Sequence, residues 1–273
     1  MTTFHTIASG SSGNAALLSH GGTHILIDMG ISCRKVTAAL AELGLSPRDL
    51  AAILITHEHA DHIGGLATYI KKHQTPILCS PGTSRQLQYR LAGVAPLLRP
   101  LPLGMCTRCG DVEVTILPTS HDCQESCAYR LETASGTVGY LTDTGYIPRE
   151  TAEALLGARL LVLESNHDVE MLRSGPYPMP LKKRVLGPTG HLSNDVAAQF
   201  ARDSARMGIR TIILAHISKD NNTPQVALNT VGRALEAVGY TGVLAAAPRD
   251  SLSREFRLED ALCSECPSSA LAS

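Results

Sequence analysis

Short runs of apolar and β-branched residues alternate with amphipathic stretches along the chain. Residues 4–8, 15–19 and 24–28 read as strands, separated by Gly-Ser and Gly-Gly turns. A helical pattern over 32–43 stops at Gly44, a residue suited to a C-cap. The apolar run 51–56 predicts a buried strand, and a helix is expected over 63–73. Another strand follows at 76–79 and another helix at 81–91. The middle is strand-like at 112–117, 128–133 and 137–142. Beyond Asp143 the pattern alternates again: helix 149–156, strand 160–164, helix 195–207, strand 211–215, helix 224–238 and strand 242–246. Strands in both halves, flanked by helices, suggest an α/β protein of the αββα type, two mixed sheets face to face with helices outside. Periodicity alone establishes only mixed α/β.

The 273 residues carry 24 basic and 25 acidic side chains, a formal charge of −1, and 44% are hydrophobic. That composition fits a filled core and excludes a disordered or globally basic chain. One domain over 1–260 is expected, with a frayed small-residue tail over 261–273. No apolar run nears the roughly 18 to 20 residues that span a bilayer. The start, MTTFHTIASGSSGN, shows no export pattern, so a cytoplasmic protein without membrane association, its eight cysteines reduced, is expected. With 4% aromatics and no Trp, binding cannot rely on a broad aromatic platform.

The chemistry concentrates in Ile53-Leu-Ile-Thr-His57-Glu-His59-Ala-Asp61-His62, directly after an apolar strand. On an extended backbone His57 and His59 project to one side. Asp61 and His62 fall on the turn into the next helix. Imidazole and carboxylate donors suit Zn, Mn, Fe or Ni. Further donors stand just past strand ends, where sheet scaffolds carry their sites: His121, Asp143 and His216.

The ordered set Asp28, His57-x-His59-x-Asp61-His62, His121, Asp143, His216 resembles the metallo-β-lactamase superfamily. Four further segments look like the YycJ (WalJ) group of exonucleases: 8–14, 163–168, 190–194 and 215–224. The resemblance implies the αββα sandwich and two divalent metal ions, Zn or Mn foremost and Fe as an option. His57, His59 and His121 would hold one ion, and Asp61, His62 and His216 the other. Asp143 would bridge them together with a hydroxide, and Asp28 would orient a ligand histidine. A bridging Asp143 points away from the antibiotic-hydrolysing branch.

His191, 25 residues before His216, looks like the upstream histidine of nuclease branches such as tRNase Z and RNase J. It is therefore read as a phosphate contact or general acid, with Asp61 and Asp143 completing the catalytic set. The simpler reading is a loop histidine ahead of a helix, with Ser193 as its N-cap. The basic run Lys182, Lys183, Arg184 would hold phosphates without reading bases, though each residue alone reads as a solvated helix end. Asn14, Asn166 and Asn222 are expected to line the cleft. The 48-residue interval from Asp143 to His191 leaves no room for the inserted domain of RNase J.

The leading expectation is a metal-dependent phosphodiesterase acting on nucleic acid, a DNA exonuclease as the resemblance implies. The alternative is a small-molecule metallo-hydrolase, a cyclic phosphodiesterase or glyoxalase-like thioesterase, since metals polarise a carbonyl equally well. Two CxxC pairs, Cys106/Cys109 and Cys263/Cys266, fall in an expected loop and in the tail, a poor context for structural zinc. Cys123 follows His121 closely enough to make oxidative sensitivity an expectation.

Overall fold

The computed structural model describes residues 1–259. The first half contributes β1 (Thr2–Ala8), β2 (Ala15–His20), β3 (Thr23–Ile27), α1 (Cys33–Glu42), β4 (Leu50–Leu54), α2 (Ala60–Ile63) and α3 (Leu66–Tyr69). It continues with β5 (Ile77–Cys79), α4 (Pro81–Arg90) and β6 (Leu98–Pro100). The second half begins with β7 (Cys106–Cys109), β8 (Val112–Pro118), β9 (Cys127–Thr133), β10 (Gly136–Leu141), α5 (Arg149–Leu155) and β11 (Leu160–Glu164). It ends with α6 (Val169–Ser174), α7 (Met179–Leu186), α8 (Asn194–Arg206), β12 (Thr211–Ala215), α9 (Pro224–Glu236), β13 (Val243–Ala246) and β14 (Phe256–Arg257).

Two seven-stranded sheets result, ordered β14-β1-β2-β3-β4-β5-β6 and β13-β12-β11-β10-β9-β8-β7. Each is antiparallel on one side and parallel on the other: β3 to β6 run parallel in the first, β10 to β13 in the second. Period-two alternation explains the layering. Ile25 and Ile27 of β3 face the second sheet and meet Val114, Ile116 and Tyr129. Leu26, between them, points outward to Val36 and Leu40 of α1. On the other side, Leu161 and Leu163 of β11 meet α8 and α9. A fully buried aliphatic side chain contributes roughly 1.5–3 kcal/mol, so the inter-sheet seam is a rigid platform for whatever its strand ends carry.

Several elements differ from the sequence reading. The single helix expected over 63–73 is two short turns, α2 and α3. Gly64 and Gly65 intervene because this segment packs on the 29–31 backbone; a Cβ on Gly65 would lie 2.2 Å from the Ile31 carbonyl oxygen. The edge strands β6, β7 and β14 and the helices α6 and α7 were not anticipated. Cys106 and Cys109 therefore sit on an edge strand and not in a loop. The expected tail and its Cys263/Cys266 pair lie outside the described residues. Ser193 does cap α8, accepting from the Val196 amide.

Candidate metal centre and catalytic site

The donors gather where strands of both sheets end. Asp28 follows β3, His57 follows β4, His121 follows β8, Asp143 follows β10, Glu164 closes β11 and His216 follows β12. Among the described residues, Asp28, Asp143 and His216 are the non-glycine residues with positive φ, at 59°, 56° and 52°. Left-handed backbone costs about 1–3 kcal/mol where tertiary structure imposes it. Here it turns three strand ends sharply inward, and all three residues belong to the site.

Ligand atoms of His57, His59 and His121 all lie within 4.8 Å of one another, and so do those of Asp61, His62 and His216. Asp143 falls between the two groups: Oδ2 is 3.3 Å from His62 Nε2, and Oδ1 is 3.5 Å from His216 Nε2 and 4.0 Å from His121 Nε2. Asp61 is held in reach because its carbonyl accepts from the Asn14 amide at 2.7 Å and packs on Gly30. A Cβ at Gly30 would lie 1.6 Å from that oxygen.

A buried polar layer supports the donors from behind. Asp28 is fully buried and accepts from the Thr56 amide at 2.9 Å, the Thr56 hydroxyl at 3.0 Å and His62 Nδ1 at 2.8 Å. Its position is that of an orienting group, aiming His62 Nε2 at the centre. Glu164 does the same for two histidines. Its Oε1 is 2.7 Å from His191 Nδ1 and 3.2 Å from His216 Nδ1, while Oε2 accepts from the amides of Thr144 and Leu192.

Charge in this layer is balanced locally. Burial disfavours an ionised Glu164, but His191 and His216 outweigh it and hold the carboxyl at about 2. Burial likewise disfavours a charged His216, yet Asp143, Asp61 and Glu164 lift it to about 10. His62 rises well above its ordinary value because Asp143 and Asp28 overcome the same burial penalty. The neighbouring carboxylates thus favour the charged forms of both His62 and His216.

The donor set fits metal. His57 Nε2 is buried with no hydrogen-bond partner, and Asp143 Oδ2 is buried with only His62 Nε2 near it at 3.3 Å, outside good hydrogen-bond geometry. Leaving such atoms bare costs about 1–3 kcal/mol each, and a cation placed among nitrogen and carboxylate donors satisfies both.

A cleft of about 150 Å3 opens beside the cluster, lined by Ser11, His121, Asn166, Tyr177, Arg184 and His191. Other proposed substrate contacts are placed differently. Asn14 is buried, its Oδ1 taken by the Gly10 amide and its Nδ2 3.1 Å from His62 Nε2, so it supports the donors and does not line the cleft. Asn222 is 2% exposed and fully used, donating to the Ser165 and Asn166 carbonyls and pairing with Asn194, so its amide has no donor left for substrate. Arg184 pairs with Asp122 at the cleft mouth. Lys182 donates to the Arg173 carbonyl at 2.6 Å, and Lys183 is exposed on α7. The Cys123 thiol is pushed up to about 12 by burial and by nearby Glu58, which keeps it protonated and speaks against the expected oxidative sensitivity.

The model of the beta-lactamase superfamily domain matches residues 23–217. A sequence 34% identical over 238 residues is the exodeoxyribonuclease YycJ of Bacillus anthracis, aligned over 87% of this chain and 90% of its own length. The chain belongs to the YycJ/WalJ family of the β-lactamase superfamily. The exodeoxyribonuclease WalJ of Streptococcus pneumoniae is 36% identical over 231 residues, 84% of this chain and 86% of the relative. The metallo-beta-lactamase fold protein YhfI from Bacillus subtilis aligns with a TM-score of 0.70 at 17% identity, over 94% of this chain and 100% of that one. That likeness concerns the fold. It agrees with the two mixed sheets and outer helices found here.

For this family member, sequence reasoning missed Glu164 and Thr56 as site residues. Glu164 ends the apolar run Leu-Leu-Val-Leu-Glu, where a terminal acid reads as a strand boundary. The available signal was its rank: like Asp143 and His216, it stands at the end of a buried parallel strand. Among the described residues no helix is long and apolar enough to cross a membrane.

Proposed function

We propose that this chain is a two-metal phosphodiesterase that removes nucleotides from the ends of DNA. His57, His59 and His121 would hold one divalent ion and Asp61, His62 and His216 the other, with Asp143 shared. Zn and Mn suit these donors best, and Fe is accommodated. When bound, such ions supply Lewis acidity and bring the pKa of a water molecule toward neutrality.

The observation that carries the reading is the Glu164–His191 pair. A carboxylate with no exposure holds His191 at 2.7 Å through Nδ1. That contact orients the ring and leaves Nε2 for the cleft. There His191 would protonate the departing oxygen of a cut phosphodiester. His191 Nδ1 also stands 3.6 Å from Asp143 Oδ1, so acid and hydrolytic centre share one site. Of the cleft's neutral side chains, the Ser11 hydroxyl is exposed and suited to a phosphate oxygen whatever the base, whereas the Asn166 amide donates to the His216 carbonyl and the Tyr177 hydroxyl to Asp220. The exodeoxyribonuclease relatives supply the substrate class, a nucleic acid.

The test is degradation of end-labelled linear duplex DNA by protein reconstituted with Mn or Zn, beside an Asp143→Ala preparation. Metal-dependent release of nucleotides, lost in the variant, is expected. Turnover of a thioester or cyclic phosphodiester without cleavage of any nucleic acid would overturn the proposal.

A further inference from the structure

Helix α4 carries a surface that neither the fold nor the proposed chemistry uses. Its sequence, Pro-Gly-Thr-Ser-Arg-Gln-Leu-Gln-Tyr-Arg, contains no acid. Tyr89 is 88% exposed, whereas Tyr69, Tyr129 and Tyr140 are buried. A ring so uncovered has no packing task in this molecule. Arg85 lies four residues earlier and is also exposed, so the two side chains share one helix face. Among the described residues Arg85 has no carboxylate or hydrogen-bond partner.

The opposite side of the helix, with Thr83 and Arg90, is tied to the metal-ligand turn and leaves the Arg85–Tyr89 face outward. Arg90 Nη1 donates to the Glu58 carbonyl at 2.6 Å, and Thr83 reaches the Glu58 carboxylate at 3.5 Å. Glu58 stands between His57 and His59 and spends its other carboxylate oxygen on the Gln124 amide at 2.8 Å. Helix α4, about 15 Å long, is thus held against the outer flank of the cluster. On the other flank α7, also free of acids, lines the cleft with Leu181 and Arg184. Two acid-free basic helices flank one site in a chain of net charge −1.

We propose that the Arg85–Tyr89 face of α4 is a track for an unpaired nucleic-acid strand, a few nucleotides from the bond being cut. The inference rests on the nuclease reading above and adds the state of the strand. A lone exposed ring stacks on a base whose face is free, as in a single strand and not in a closed duplex. A guanidinium one helical turn away meets the adjoining phosphate.

Two measurements test it on metal-loaded protein. Binding is read by anisotropy of a fluorescein-labelled 20-nucleotide phosphorothioate DNA strand, alone and annealed to its complement. Hydrolysis is read with bis(p-nitrophenyl) phosphate, too short to reach α4. Tyr89→Ala and Arg85→Gln should each weaken single-strand binding on the order of tenfold. Tyr89→Phe should retain it, and Arg85→Gln should flatten the salt dependence by roughly one phosphate contact. Hydrolysis of the short ester should not change. Wild type that cuts DNA while both variants bind the strand at full strength overturns the track. Equal losses on the closed duplex overturn its preference for unpaired strand. Wild type that neither binds DNA nor hydrolyses a phosphodiester overturns the nuclease reading, and the track with it.

Discussion

Glu164→Gln is the sharpest probe of how the site works. The carboxylate accepts from two kinds of donor: Oε2 from the amides of Thr144 and Leu192 at 3.0 and 3.3 Å, and Oε1 from His191 and His216 at 2.7 and 3.2 Å. Glutamine has one accepting oxygen. Backbone amides cannot become acceptors, so that oxygen must face Thr144 and Leu192. The new NH2 then points at both imidazoles, which must accept at Nδ1 and carry their protons on Nε2. His216 loses the lone pair it would offer a metal, and His191 loses the carboxylate that orients it. Hydrogen bonds to charged groups contribute about 1.5–3 kcal/mol each, so losing two should lower kcat/KM roughly a hundredfold to ten-thousandfold. The assay is single-turnover release from end-labelled DNA, with metal per chain counted by mass spectrometry on the same preparation. Near-UV circular dichroism checks that the fold survives. Activity within threefold of wild type at full metal content would refute the tautomer reasoning.

Other expectations are simpler. Asp28→Asn should weaken metal binding about 10- to 100-fold, as loss of an orienting partner does; competition against a chromophoric chelator measures it, and unchanged affinity would show that His62 needs no support. Gly30→Ala should destabilise by about 3 kcal/mol or more, because its Cβ would fall 1.6 Å from the Asp61 carbonyl oxygen; a urea midpoint equal to wild type would show that the turn shifts freely. Metal loading should release protons from His62 and His216, so affinity should tighten as pH rises; calorimetry in buffers of different ionisation enthalpy reads the number released. In chelated protein, the pKa of His216 stands at about 10 when folded against 6.5 unfolded, so its contribution to stability is complete below 6.5 and lost toward 10. Tm should therefore fall between pH 7 and 10, and a rise across that window would count against the assignment.

The clustered donors were legible because chemistry and position coincide: His57 to His62 fill six consecutive residues after an apolar strand, and His121, Asp143 and His216 each stand just past one. Alternation gave only mixed α/β; the two-sheet sandwich came with the resemblance that those donors carry. What stayed hidden had no local signature. Glu164 acts through partners 27 and 52 residues away. Strands β6 and β7 are short edges with two of three and two of four residues exposed, so burial imposes little pattern on them. Helices α6 and α7 lie in a Gly- and Pro-punctuated stretch that lacks helical period. The asparagines misled because amides that suit a ligand also suit a turn, and Asn14 and Asn222 spend theirs on the backbone.

The division of the donors between the sheets has a practical consequence. Asp28 and His57 to His62 precede residue 101, whereas His121, Asp143, Glu164, His191 and His216 follow residue 105. The connection over 101–105 has Pro102, Gly104 and Met105 exposed. A chain nicked there would yield two pieces, each with an incomplete set of donors and an inert sheet of its own. Their reunion would be stitched by β14, which comes from the second piece but pairs with β1 of the first. Hydrolysis would then switch on only when both pieces meet, so the protein carries the makings of a split reporter.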